Sequence, residues 1–484
     1  MTLYRQKFDT FIRRYDDVGY IVNKINFIDR VVDASGLVFL SALSREPQDI
    51  GKLSEKIAKS FIDADIEEIK EDAIAFYAML EEAGFIVSGI TEEELDCKDA
   101  RFSYALIEPK TFNKDSAPVL KQGKKDTQDF LEEHFKDRPQ FMSLQIELTS
   151  RCNERCIHCY IPHEDRTSDI APELFYDVLE QCREMGVLDL ILSGGEALLH
   201  PQFCDFLRRA KEYDFSVAIL SNLTLLNDEI ISAMKEIRLS SVQVSLYSMK
   251  AEIHDSISQL PGSFEKTKSA VLRLVENDIP VQISCPVMKQ NKDCYADVLK
   301  WAHDHKCRAH TDFLMMGRYD NTTDNLDNRL SLEETEKLLQ VIVHNDTEYQ
   351  EGIFSADIAE AEKRDISNDI LCGVCITSAC MVANGTIYPC PGWQSYACGN
   401  VKEKPLHEIW KNSPEVKYLR GLRKKDFPMC VKCPDRNFCD LCIMRNAHEA
   451  NGDMFKINEH FCKVVALNRK IALEWKEKQL AGIN

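Results

Sequence analysis

Cys152, Cys156 and Cys159 stand within eight residues of one another in Arg151-Cys152-Asn153-Glu154-Arg155-Cys156-Ile157-His158-Cys159-Tyr160, directly after a strand-like run. Thiols this close share one soft metal centre or lie idle. Iron–sulfur cubes are normally held by four cysteine thiolates, so a loop that offers three leaves one iron without a protein ligand. That vacancy is where chemistry can occur. A structural zinc site asks instead for a closed set of four ligands. His158 is the available fourth, but it sits between two of the cysteines, where simultaneous ligation is cramped. Unconnected core thiols are the third reading, because a free cysteine is ordinarily a small buried hydrophobe.

The elements that must position this loop follow from hydrophobic periodicity. Met142–Thr149 alternates as a strand and delivers the loop at its C-terminal end. Helix Pro172–Met185 precedes strand Leu188–Leu192, helix Gln202–Tyr213 precedes strand Ser216–Leu220, and helix Asp228–Glu236 precedes strand Ser241–Leu246. Helix Ser263–Glu276 then precedes strand Pro280–Cys285, helix Tyr295–His305 precedes strand Ala309–Phe313, and a last helix runs over Leu332–Val343. Six strands with helices between them predict an α/β fold with a parallel sheet. In parallel barrels function gathers at the strand C-termini. The second strand ends in Ser193-Gly194-Gly195-Glu196, where the glycines let backbone approach a ligand and Glu196 supplies a carboxylate. The third ends in Ser221-Asn222, the fourth in Ser245, and Met315-Met316-Gly317-Arg318 follows the sixth. Taken alone, a Gly-Gly pair is a turn, a small polar residue at a strand end is a cap or turn, and paired methionines are packing.

Ahead of the barrel, Phe8–Tyr15, Gly19–Asn23 and Phe27–Val32 read as short strands. Three helices follow, capped at Asp33 and running to Ala42, opened by Asp49 and running to Ser60, and started at Asp63 and running to Glu82; Phe85-Ile86-Val87 then returns to the sheet. From Thr91 to Gln140 the chain is rich in charge and poor in periodicity, with Lys121-Gln122-Gly123-Lys124-Lys125 at its middle. It reads as a linker carrying one short helix near Thr127–Phe135.

Of nineteen cysteines, ten lie from Cys372 onward. Cys372, Cys375 and Cys380 are followed by Asn384-Gly385, a hairpin signal that pairs Met381–Ala383 with Thr386–Tyr388 and brings Cys390 back beside them. Cys398 follows, then Cys430, Cys433, Cys439, Cys442 and finally Cys462. In isolation the paired C-x2-C spacings read as a zinc ribbon, and thiolate sets of this type accept both metals. After Cys462, residues Val464, Val465, Leu467, Ile471, Ala472 and Trp475 make an amphipathic helix that closes against the barrel. The remaining thiols, Cys97, Cys182, Cys204, Cys285, Cys294 and Cys307, are scattered and read as ordinary core or surface residues.

Composition bounds the function. At 484 residues the chain exceeds one ordinary core and divides into two to four domains. A net charge of −19 offers no electrostatic footprint for nucleic acid. No apolar run approaches a membrane span, and Met1-Thr2-Leu3-Tyr4-Arg5-Gln6-Lys7 leads into charge rather than a secretory apolar core, so a cytoplasmic location is expected. A reducing compartment keeps thiols free, so this many cysteines argue for metal rather than disulfides.

The C-x3-C-x2-C spacing, together with the Gly194-Gly195-Glu196 run, resembles the signature of the radical S-adenosylmethionine (SAM) enzymes. The resemblance implies a partial (β/α)6 TIM-type barrel over residues 141–345 and a [4Fe-4S] cluster on Cys152, Cys156 and Cys159. In that family the open iron chelates SAM, which one electron splits to a 5′-deoxyadenosyl radical. It implies SAM contacts from Ser193, Gly194, Gly195, Glu196, Asn222 and Ser245, and an electron donor such as flavodoxin or ferredoxin. The later cysteines resemble the SPASM extension of radical SAM maturases, departing once in having two residues rather than three before Cys442. By analogy Cys372, Cys375, Cys390 and Cys442 hold an inner auxiliary cluster, and Cys430, Cys433, Cys439 and Cys462 an outer one, three [4Fe-4S] clusters in all. The fourth inner ligand stays open among Cys375, Cys380, Cys398 and none. Residues 1–90 resemble the winged-helix leader-recognition element of ribosomal peptide biosynthesis, which implies a precursor peptide as partner. The expected layout is residues 1–90 for leader recognition, 91–140 as linker, 141–345 as barrel, and 346–484 as bridging region and SPASM domain. The expected activity is modification of a ribosomally made peptide, with a cysteine thioether as product. Two rivals stand beside it: a protein oxidase of the sulfatase-maturating kind, and a zinc-stabilised peptide-binding scaffold without catalysis.

Overall fold

The computed structural model describes residues 2–62, 65–99, 138–163, 166–355 and 362–481. The N-terminal region holds two small sheets. Strands β2 (Thr10–Tyr15), β3 (Val18–Asn23) and β4 (Ile28–Val32) form the expected antiparallel meander. An additional strand, β1 (Leu3–Gln6), pairs with β5 (Gln48–Asp49) and β6 (Ile86–Gly89). The Phe85–Val87 run therefore does not rejoin the meander. It pairs with a strand whose four residues carry no alternation for a sequence reading to find.

Helices Ala34–Ala42, Ile50–Ala58 and Ile66–Glu82 follow, with Asp33, Asp49 and Asp65 each accepting from an amide of the first turn. The expected start at Asp63 lies outside the described residues. Leu40, Leu53, Ile57, Tyr77, Leu80 and Phe85 make the core of this unit. All of β3 is buried. Its other face explains why, since Val18, Tyr20 and Val22 pack, beside Tyr15 of β2, with Leu188 of the barrel. A helix, Glu92–Lys98, occupies the start of the expected linker; the helix expected at Thr127–Phe135 lies outside the described residues.

The N-terminal unit is fastened to the turns that precede the barrel strands. Asp214, in the turn before the third barrel strand, takes Arg13 and Arg45 of the N-terminal unit, and Arg13 also donates to the Val187 carbonyl at 3.1 Å. Burial works against the Asp214 charge, but Arg45 and Arg13 outweigh it and hold the carboxyl below the usual aspartate range. A depressed native pKa means this docking contributes fully above the ordinary aspartate range and is lost as pH falls through the native value. Asp214→Ala is expected to destabilise the docked unit by about 2 kcal/mol, less than a fully buried pair because the carboxylate keeps solvent access. Earlier urea release of the N-terminal unit, followed by limited proteolysis, measures it.

Strands β7 (Ser143–Thr149), β8 (Asp189–Gly194), β9 (Ser216–Ser221), β10 (Ser241–Ser245), β11 (Val281–Ser284) and β12 (Arg308–His310) lie parallel in that order. Their connecting helices cover one face, as a partial TIM-type barrel requires. Leu144, Ile146 and Leu148 are wholly buried in the main hydrophobic core, and strand alternation sends Gln145 and Glu147 to the opposite, lumen face. The sheet then continues into the cysteine-rich region. Strand β13 (Ser378–Met381) pairs parallel with β7, and β14 (Thr386–Tyr388) and β15 (Gly399–Asn400) extend it to nine strands. The hairpin forms where expected at Asn384-Gly385, but its first strand starts earlier and places Cys380 opposite Tyr388. The helix Glu459–Leu480 packs Ile471, Ala472 and Trp475 on Leu339 and Val343 of the last barrel helix.

Candidate cluster-binding site

The three-thiol loop leaves the C-terminal end of β7, where Thr149 Oγ1 donates to Asp169 at 2.6 Å and accepts from the Arg151 amide at 3.0 Å. Two glycines let β8 approach it. A Cβ on Gly194, whose φ is +152°, would stand 2.4 Å from the Thr149 carbonyl oxygen, and one on Gly195 would stand 2.3 Å from that of Arg151. These glycines therefore give room to the cysteine loop itself. Gly195→Ala is expected to push that loop off β8 and lower SAM cleavage by about a hundredfold, the cost of roughly an ångström of misplacement; the readout is 5′-deoxyadenosine formed by the reconstituted enzyme.

Within the loop, Cys156 Sγ donates to Glu154 at 3.2 Å and lies 3.4 Å from the Tyr247 hydroxyl, while the Glu154 amide donates to Cys152 Sγ at 3.4 Å and Arg166 donates to Cys159 Sγ at 3.5 Å. Burial pushes the Cys152 thiol up to about 11 and the Cys156 thiol well above its ordinary value. Three thiolates gathered here are costly as bare anions, and a cationic cluster removes that cost. Donor type, number and burial fit an iron–sulfur cube. Among the described residues no group of three or more His, Cys, Asp or Glu side chains converges on a single ion, whereas the thiolates of a cube stand apart around it. His158, the sequence candidate for a fourth zinc ligand, turns its ring to Tyr247 with centroids 5.1 Å apart, and burial pushes its pKa down to about 4.

The other SAM-side candidates are drawn together around Glu196. Its carboxylate is buried and accepts from the Leu198 amide, the Ser221 hydroxyl and the Asn222 amide at 2.9, 2.7 and 2.7 Å. Asn222 in turn donates to Asn153 of the cysteine loop at 2.9 Å. Ser193 faces the lumen, where it accepts from Gln145 at 2.8 Å. Ser245 ends β10, two residues before Tyr247. The ladder register sets Glu147, Ser193, Leu220, Gln243, Gln282 and Arg308 in one layer across the barrel.

All nineteen cysteines are free thiols. In the C-terminal region they fall into distinct groups. Burial and the neighbouring Cys442 and Cys372 thiols push Cys390 up to about 12. Burial, Cys430, Cys462 and Cys433 do the same for Cys439, so the whole expected outer set is gathered. Cys375 bears on Cys372 and also meets Cys398. It adopts a left-handed turn with φ of 57° and accepts a hydrogen bond from Cys398, which makes it the more acidic thiol of that pair. Cys372, Cys390 and Cys442 neighbour one another, and Cys375 stands between this group and Cys398, bearing on Cys372 while its thiol meets Cys398. Cys380 is fully buried on β13, beside Glu147 and Cys390.

Sequence reasoning passed over Glu147, Tyr160, Tyr247 and Gln394. Glu147 carried a usable signal, being on the same strand parity as Gln145 and opposite to Leu144, Ile146 and Leu148.

Comparison with known proteins agrees with this arrangement. Residues 146–302 match the family model of the radical SAM superfamily, and residues 372–434 that of SPASM, an iron–sulfur cluster-binding domain. An AdoMet-dependent heme synthase of Methanosarcina barkeri is 27% identical over 345 residues, covering 65% of this chain and 94% of its own. The antilisterial bacteriocin subtilosin biosynthesis protein AlbA of Bacillus subtilis is 26% identical over 340 residues, covering 68% of this chain and 74% of its own. The crystal structure of Streptococcus suis SuiB bound to precursor peptide SuiA superposes with a TM-score of 0.60 at 16% identity, over 94% of this chain and 99% of that one, a likeness of fold. No helix of the described residues is long and apolar enough to cross a membrane. This chain carries a radical SAM domain and an iron–sulfur-binding SPASM domain.

Proposed function

We propose that the protein modifies a ribosomally made precursor peptide and that its product is a thioether between a cysteine sulfur and a carbon of the same peptide. The observation that carries this reading is the N-terminal unit: a three-stranded meander whose β4 is an edge strand among the described residues, backed by three helices and docked on the barrel. An edge strand beside helices can take up an extended peptide as one more strand, with main-chain hydrogen bonds giving affinity. The biosynthesis protein AlbA and the peptide-bound SuiB structure support a peptide as substrate.

Cys152, Cys156 and Cys159 would hold a [4Fe-4S] cluster that, with SAM bound, supplies the oxidant for removing a hydrogen atom from carbon. The chain's own residues position the rest. Tyr247 holds Cys156, Glu196 ties the ends of β8 and β9 together, and Asn222 braces the cysteine loop. Cys372, Cys390 and Cys442 would hold an inner auxiliary cluster short of one protein thiolate, where a substrate thiolate can bind. Cys430, Cys433, Cys439 and Cys462 would hold the outer one, and a flavodoxin or ferredoxin would deliver electrons.

A tetrapyrrole is the second reading, because a heme synthase is among the relatives. The lumen layer argues against it. A porphyrin carries several carboxylates, and this layer presents the Glu147 carboxylate with neutral Ser193, Gln243 and Gln282, while Arg308 stacks on Phe27. Coexpression with a short, cysteine-containing peptide encoded nearby, followed by mass spectrometry, tests the proposal. A peptide lighter by two hydrogens with an alkylation-resistant cysteine is expected. An unmodified peptide together with turnover of an iron porphyrin would replace this reading with the second.

A further inference from the structure

The lumen layer of the barrel contains one carboxylate, Glu147, and nothing described so far uses it. Its side chain is 5% exposed. Among the described residues its hydrogen-bond partner is a neutral one, Gln394 Nε2, at 2.5 Å. Gln394 also donates to the Pro391 carbonyl at 3.2 Å, so the same amide is anchored in the segment that follows Cys390. Glu147 thus stands on the first barrel strand, four residues before the three-thiol loop begins at Arg151, and is tied across to the loop of the inner cysteine group. Tyr160, Tyr319, Tyr388 and Cys380 face it, and each is raised in pKa in part by its charge. Among the described residues, Arg166 is the cation that bears on it.

A buried carboxylate with one neutral partner is costly as an anion, and burial pushes Glu147 up to about 7 even with Gln394 and Arg166 opposing. A structural role alone would be met equally well by glutamine, which donates and accepts without a charge to desolvate. The position instead suits a group that changes charge during a reaction.

We propose that Glu147 accepts the proton that a substrate cysteine gives up when its thiol becomes a thiolate inside the barrel. The inference rests on the peptide-thioether reading. In this step the S–H bond breaks with its electron pair left on sulfur, and the proton passes to a carboxylate oxygen of Glu147. No oxidant or reductant is consumed. The Gln394 bond holds the carboxylate toward the inner cysteine group, where the new thiolate is wanted.

The test uses reconstituted enzyme with a full-length precursor deuterated at the reacting carbon. For Glu147→Gln, deuterium transfer into 5′-deoxyadenosine is expected to persist while thioether formation falls by about a hundredfold, the usual range for a lost general base. A precursor with selenocysteine at that position, whose selenol ionises without help, is expected to restore crosslinking in the same variant. Gln394→Leu keeps the carboxylate but removes a bond that lowers its pKa, so the acid limb of the wild-type pH profile is expected to move to higher pH. If Glu147→Gln forms thioether at the wild-type rate, or if selenocysteine gives no rescue, the role is overturned. Wild-type enzyme that transfers deuterium but forms no thioether overturns the reaction reading beneath it instead. Should Glu147→Gln fail to fold, the Gln394→Leu profile decides: an unmoved acid limb rejects the proposal.

Discussion

Cys156→Ala is expected to abolish SAM cleavage outright while leaving the N-terminal unit folded and able to bind peptide. Its thiol is held between the Glu154 carboxyl at 3.2 Å and the Tyr247 hydroxyl at 3.4 Å. Two thiols cannot retain a cube that four normally hold, and without the cluster no group in the barrel can deliver an electron to a sulfonium. The N-terminal core is built from Leu40, Leu53, Tyr77 and Phe85, none of which touches the loop, so its folding is independent of the loss. Iron and sulfide analysis should show one cluster fewer, with the electron paramagnetic resonance signals of the remaining clusters intact. Cys182→Ala and Cys285→Ala supply the contrast. Both thiols are fully buried in the main core, so each replacement should cost about 1 kcal/mol of stability and leave the iron content unchanged. Retention of SAM cleavage by Cys156→Ala would falsify the assignment of this loop.

Much of the barrel was legible because its signals are local. Helix Asp228–Glu236 and helix Ser263–Glu276 begin and end where periodicity places them, and the Asp33 and Asp49 caps are where a short acidic residue precedes an apolar turn. What sequence could not supply is contact between distant segments. The pairing of β13 with β7, which joins the SPASM hairpin to the barrel sheet, depends on two strands separated by all six barrel repeats. The Asp214 hub depends on Arg13 and Arg45, which sit on different elements of the N-terminal unit. At the site, Gly194 and Gly195 were visible as glycines, but their reason was not. The carbonyls of Thr149 and Arg151 fill the space that a side chain would take. Glu196 was visible as a carboxylate, yet its commitment to Ser221 and Asn222 needed the third strand in place.

The same limit acts on the C-terminal thiols, and it yields the second large effect. Spacing alone leaves Cys372 and Cys375 interchangeable, because both stand ahead of the Asn384-Gly385 hairpin. Geometry separates them. Cys375 takes a left-handed turn, its amide donates to the Ser378 carbonyl at 2.9 Å, and its thiol meets Cys398, while Cys372 stays beside Cys390 and Cys442 with Cys375 as a further neighbour. Cys390→Ala is therefore expected to lose the inner cluster and reduce peptide product to background, with SAM cleavage persisting because the first loop is untouched. Cys398→Ala is expected to keep its full iron content and product yield, since it removes only the partner of Cys375. Cys375→Ala should follow Cys398→Ala rather than Cys390→Ala if the inner centre holds three protein thiolates and reserves an iron for the substrate sulfur. Loss of one cluster from Cys375→Ala would show instead that this thiol swings from Cys398 to close the set, and the vacancy proposed for the substrate would not exist.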